Sequence, residues 1–155
     1  MDTNKIKKIV YDIVSDARLL NYKHTLERDA PVNYACIFTQ NSFEYEEMIN
    51  LANKMGDIVK ETTMGPVFLL VPITTISGNL RLVKIRKHDQ KRPERGDADF
   101  TVADYETFKQ TYLGKPGFSL IKREKMEMIE LIDPSYNVLA YYSHPTLAEV
   151  LKLEL

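Results

Sequence analysis

At 155 residues the chain is long enough for one domain, or for two small modules that share a core. With 44% apolar and 28% charged residues it has the composition of a soluble globular fold, and a net charge of −1 gives no bulk attraction to a polyanion. No apolar run approaches the roughly 20 residues needed to cross a bilayer, and the amphipathic opening MDTNKIKKIVYDIV is not a secretory leader.

Residues 4–20 place Ile6, Ile9, Val10, Ile13, Val14, Ala17 and Leu20 at helical spacing, with Lys5, Lys7, Lys8, Asp12 and Asp16 on the other side. LNYKHTLERDAP is polar and ends in Pro31, which reads as a linker. VNYACIFT (32–39) is a strand. Asn41 with Glu44 opens a helix that runs to about Met55, and Gly56 ends it. DIVKET is a short strand and VFLLVP (67–72) a buried one. The turn Ser77-Gly78-Asn79 leads to the strand LRLVKIRK (80–87), and HDQKRPERG is a loop.

DADFTV is the next strand, and Asp104 caps a helix bearing Tyr105, Phe108 and Tyr112. After the break GKPG come the strands FSLIKR, MEMIELI and VLAYYS, then a closing helix in HPTLAEVLKLEL with Pro145 near its first turn. The order is helix, βαβββ, βαβββ, helix. Residue pairs 63 apart support a duplication: Tyr34 with Asp97, the caps Asn41 with Asp104, and Tyr45 with Phe108. The chain therefore divides into a helix and linker (1–30), a first module (31–92) and a second module with the closing helix (93–155), all in one domain.

Short catalytic motifs are missing. His24, His88 and His144 form no HxH or HxxxH pair, and with the single cysteine, Cys36, no zinc spacing exists. Cys36 also excludes an intramolecular disulfide and suits the cytoplasm. In RPERGDADFTV two aspartates stand on a strand, where aspartate is depleted. Asp97 and Asp99 share one face, opposite Ala98, Phe100 and Val102, so that face either meets water or lines a cavity.

Two tandem βαβββ modules, with the stretches VNYACIFTQNSFEYEEM, KIRKHDQKRPERGDADF and LAYYSHPTLAEVL, resemble the vicinal oxygen chelate superfamily of glyoxalase-like and extradiol dioxygenase-like proteins, and within it the YecM-like branch. The resemblance implies an α+β fold in which eight strands form a cup. In the family the cup usually holds a divalent metal, with ligands on the first and a late strand of each module. Carried over, those places fall to Tyr34, Lys84, Asp97 and Tyr141. Lysine is a cation that offers no lone pair to a metal, so the chain is expected to carry no metal and no cofactor.

By strand parity, Tyr34 and Cys36 face the cup together with Asp97 and Asp99, and Lys84 with Arg86. Two acids and two bases then stand where relatives keep an ion. They form either a pocket for a small polar or anionic molecule or a salt-bridge network that fills the cup, with Asp97 and Asp99 within reach of Lys84, Arg86 or an arginine of the 92–95 loop. Tyr34, Tyr141 and Tyr142 could donate to a ligand or serve as half-buried walls. Cys36 reads as a small buried hydrophobe.

The expected ligand-binding set is Tyr34, Lys84, Arg86, Asp97, Asp99 and Tyr141, in a binding protein or a metal-independent enzyme of lyase or isomerase type. A second reading uses the stretch 81–96, which holds seven cations and two acids, to dock an acidic partner. Without interleaved aromatics, nucleic acid is the weaker case. A membrane is not expected as a partner, and a homodimer stays open.

Overall fold

In the computed structural model, which describes residues 2–155, the apolar stripe of the first helix is buried along its length. This helix, α1 (Asn4–His24), seats Ile6, Val10, Ile13, Val14, Ala17 and Leu20 against a sheet. It runs four residues past Leu20, into the segment that composition marks as linker. Tertiary hydrogen bonds hold that last turn. The Tyr142 hydroxyl donates to Asn21 Oδ1 (2.7 Å), Asn21 Nδ2 donates to the Glu27 carbonyl (2.7 Å), and Lys23 reaches Asp133 (2.8 Å).

The strands are β1 (Val32–Phe38), β2 (Gly56–Lys60), β3 (Val67–Thr75), β4 (Gly78–Arg86), β5 (Gly96–Phe100), β6 (Phe118–Lys122), β7 (Glu127–Leu131) and β8 (Val138–His144). They form one open sheet in the order β2-β3-β4-β1-β5-β8-β7-β6. Read outward from the β1–β5 seam, both sides follow the same plan. The seam is antiparallel, each first strand pairs in parallel with the last strand of its half, and the outer pairs are antiparallel. The fold is α+β, with two βαβββ halves joined in one eight-stranded cup.

Two helices follow the first strands: α2 (Ser42–Asn53) after β1, and α3 (Tyr105–Tyr112) after β5. Asn41 Oδ1 accepts from the Glu44 N–H (2.8 Å) and Asp104 Oδ1 from the Thr107 N–H (3.1 Å), as their spacing predicts. The strands β3 and β4 run longer than the sequence pattern indicates, because they pair up to Thr75 opposite Gly78. Pro72 is accommodated where their register shifts, between Leu69 and Ile73.

Helix α1 crosses one face of the sheet, and with α2 and α3 it covers Ala35, Ile37, Phe68, Val83, Ala98, Phe100 and Tyr142. At Gly96, where β5 leaves the loop, the sheet packs tightly against α1. A Cβ there would overlap the Cys36 carbonyl oxygen and lie 2.7 Å from Ile13 Cδ1. Gly96→Ala should therefore lose about 2–3 kcal/mol, the cost of overpacking against atoms that cannot retreat. Urea unfolding would measure it, and an unchanged midpoint would mean that the backbone yields freely.

The closing helix is shorter than its sequence suggests. One turn, α4 (Leu147–Val150), starts at a complete capping box between Thr146 and Glu149 and stops before Lys152, whose φ of 57° is left-handed. The chain then folds back so that Leu147, Leu151 and Leu153 rest on Val67, Leu82, Tyr34 and Val59. The C-terminal segment thus lies on the sheet face opposite α1, which is the cup face.

Candidate functional site

The register of the seam brings the cup-facing side chains into rungs. Lys84, Cys36, Asp97 and Leu139 are successive Cα partners across β4, β1, β5 and β8. Tyr34, Asp99, Tyr141 and Glu130 form the next rung, across β1, β5, β8 and β7. Both aspartates are buried, so the acidic face of β5 does not meet water.

The two carboxyls sit in different surroundings. A register shift between Val32 and Tyr34 turns Asn33 toward Asp99, and Asn33 Nδ2 donates to Asp99 Oδ1 (3.2 Å). The Ser143 N–H donates to the same oxygen (3.2 Å), and the Ser143 hydroxyl donates to Asp99 Oδ2. Burial lifts the Asp99 carboxyl to about 6, while these donors hold it down. Asp97 has no such cradle, and its Oδ1 is buried without a hydrogen-bond partner. Burial, and then the neighbouring Asp99, push Asp97 up to about 8 against the pull of Lys84, Arg86 and Arg92.

The expected ion pairing of these acids is not what the structure holds. Among the described residues neither Asp97, Asp99 nor Lys84 takes part in a salt bridge. Lys84 and Asp97 are separated by the whole width of β1, about 10 Å at the backbone, with Cys36 between them. Arg86 lies over the Phe38 ring (4.9 Å) and pairs with Asp89 (3.2 Å). Of the loop arginines, Arg92 reaches Glu130 (3.5 Å), and Arg95 forms a two-pronged pair with Glu44 (2.6 and 3.1 Å).

These pairs also break up the basic stretch 81–96. Arg86, Arg92 and Arg95 are each neutralised by a different acid, and Lys84 faces the cup. Among the described residues, Lys87 and Lys91 of the same stretch are exposed and make no salt bridge.

A cavity of about 650 Å³ opens on the cup face, within the range of small-molecule sites. Tyr34, Lys84 and Asp99 line it. Arg86, Asp97 and Tyr141 share the sheet face but lie beside the cavity. The Tyr141 hydroxyl is already committed, donating to Glu130 Oε2 (2.5 Å). Sequence reasoning missed Lys60, Arg123 and Lys125 on the polar wall, and Leu147, Val150 and Leu151 on the apolar one. Parity along β8 could have added Ser143, two residues after Tyr141. Asn33 reaches the site only through the irregularity in β1, and nothing in the sequence signals that.

The positions that hold metal in the resembled family do not suit a divalent ion here. Lys84 is a cation, Tyr141 is engaged with Glu130, and Asp97 is the one carboxylate among the four. Among the described residues no group of three or more His, Cys, Asp or Glu side chains is arranged to hold a metal. The Cys36 thiol is raised by burial, then by Asp97, although Lys84 and Arg86 act the other way, so it is a poor nucleophile. Among the described residues no helix is long and apolar enough to cross a membrane.

No protein-family model matches this sequence, and no curated protein matches it. Among solved structures, the chain is similar to a structural-genomics target, protein EC4020, with a TM-score of 0.67 and 14% identity over 93% of this chain and 92% of that one. A glyoxalase/bleomycin resistance protein/dioxygenase superfamily member from Vibrio splendidus 12B01 aligns with a TM-score of 0.45 and 8% identity, over 74% of this chain and 97% of that one. At 14% identity the likeness to the first is one of fold.

Proposed function

We propose that the chain is a YecM-like member of the vicinal oxygen chelate superfamily that binds a small anionic molecule in its cup without a metal. The observation that carries this reading is Lys84, a half-buried cation with no salt-bridge partner among the described residues, at the cavity wall. A half-buried ammonium is costly unless a counter-charge or water meets it. Lys60, Arg123 and Lys125 add to the positive field against Asp99 and Glu124, leaving four cations to two acids around one concave space. A concave low-dielectric wall with an excess of one charge concentrates ligands of the other sign.

Thermal unfolding with acetate, inorganic phosphate and citrate, with chloride as the ionic-strength control, tests this. A ligand present at about 100 times its dissociation constant adds about 2.7 kcal/mol. For a chain of this size that is a rise of roughly 5–10 °C. Lys84→Met should abolish the rise while keeping the fold, because methionine retains a flexible unbranched apolar stem of similar length. If none of the anions nor any carboxylate raises the midpoint beyond chloride, or if the variant responds as the parent does, the anion site does not exist.

A further inference from the structure

The cavity lining combines charge and carbon. Lys84, Asp99, Val67 and Met128 belong to the sheet, with Val67 the cross-strand partner of Lys84, and carbon is added by Met126 from the β6–β7 loop and by Leu147, Val150 and Leu151. Half of that apolar wall is supplied by the C-terminal segment. The segment is anchored by Leu147, which is buried against Val67 and Leu82, while Val150 and Leu151 stay half-exposed toward the open space. Apolar side chains left lining a cavity, rather than packed to interior density, are what an apolar ligand would cover.

We infer that the ligand is an amphipathic monoanion, a medium-chain or aryl-bearing carboxylate, with its carboxylate at Lys84 and its carbon body on the wall built by α4. This inference rests on the anion site proposed above and narrows it. One charge is favoured over two because Lys84 is the half-buried cation of the lining, whereas Lys60, Arg123 and Lys125 are exposed to solvent. One carboxylate satisfies Lys84, and a second charge would meet only those solvated cations, where ion pairs add little. Its chain would remove Leu151, Val150 and Met126 from water. The C-terminal segment is then part of the site and sets the length of chain that fits.

The experiment is a homologous series of straight-chain carboxylates, acetate through octanoate, titrated calorimetrically against the full chain, with inorganic phosphate and succinate as purely polar anions. Each methylene buried on the wall should tighten binding by up to about fourfold until the wall is covered. Leu151→Ser should flatten that slope, whereas Lys84→Met should weaken every member by the same factor. Affinity independent of chain length, or phosphate and succinate binding more tightly than octanoate, would overturn the inference while leaving the anion site standing. A steep slope that Leu151→Ser does not alter would remove the C-terminal wall from the site. Binding by none of the anions would overturn both readings. The series on the parent protein decides the ligand class even if the Leu151 variant folds poorly.

Discussion

Asp97→Asn should stabilise the folded protein in alkaline solution and leave it nearly unchanged in mild acid. In the unfolded chain the carboxyl loses its proton near pH 4. In the folded protein burial keeps it protonated up to about 8. Between those values the folded state binds the extra proton, so this group's contribution to stability falls as pH rises. About four pH units at 1.36 kcal/mol each set a span of roughly 5 kcal/mol. Asparagine is neutral at every pH and nearly the same shape, so the variant escapes that loss.

Urea unfolding at about pH 5 and about pH 9 should show the parent losing several kcal/mol relative to the variant across that interval. An aspartate held in a buried ion pair predicts the opposite sign, because removing one partner strands the other at a cost of about 3–5 kcal/mol. A variant less stable than the parent near pH 9 would therefore mean that Asp97 is paired after all. Asp99 should respond differently. Its carboxyl accepts from Asn33 and Ser143, and a neutral amide would meet those donors with one acceptor oxygen in place of two.

Tyr142→Ala should cost about 3–5 kcal/mol, the loss of a fully buried aromatic side chain. The side chain is fully buried between two aromatic neighbours, Phe108 at 4.4 Å and Phe100 at 6.2 Å between ring centroids. Its hydroxyl donates to Asn21 and so ties β8 to the last turn of α1. Tyr142→Phe keeps the rings packed and removes only that bond, so it should cost about 1 kcal/mol. Thr25 Oγ1 still donates to the same Asn21 oxygen (2.8 Å), which limits the loss. If the phenylalanine variant costs as much as the alanine one, the hydrogen bond and not the packing anchors α1. Equilibrium unfolding of the two variants separates these cases.

The stripe from Ile6 to Leu20 and the caps Asn41 and Asp104 are local signals, and the structure follows them because their physics is local. A helical period fixes a buried face whatever lies opposite, and a cap satisfies N–H groups three residues away. The parity of Asp97 and Asp99 is local too, since alternate residues of a strand share a face. Element order and strand alternation read as two βαβββ halves with the two acids on one face, and the resemblance of those halves to a known family implied the cup. Less visible was the end of α1. Asn21, Lys23 and His24 look like loop residues until Tyr142 and Asp133, more than a hundred residues away, supply their partners.

The chemistry of the site was the least legible part, because it depends on partners rather than on faces. Parity places Lys84, Arg86, Asp97 and Asp99 on one surface and says nothing of which strand separates them. The register does that by inserting Cys36 between Lys84 and Asp97, so that the opposite charges do not meet. Arg86, Arg92 and Arg95 go to Asp89, Glu130 and Glu44 because the loop after β4 folds toward those acids. The apolar wall of Leu147, Val150 and Leu151 exists because the chain turns back at Lys152 onto the open face of the sheet. A sequence specifies spacing along its own axis, and that determined the helices, the strands and the shared face of the two acids. Charge pairing and cavity shape are set by distances across the sheet and between distant segments, and only the tertiary structure decided those.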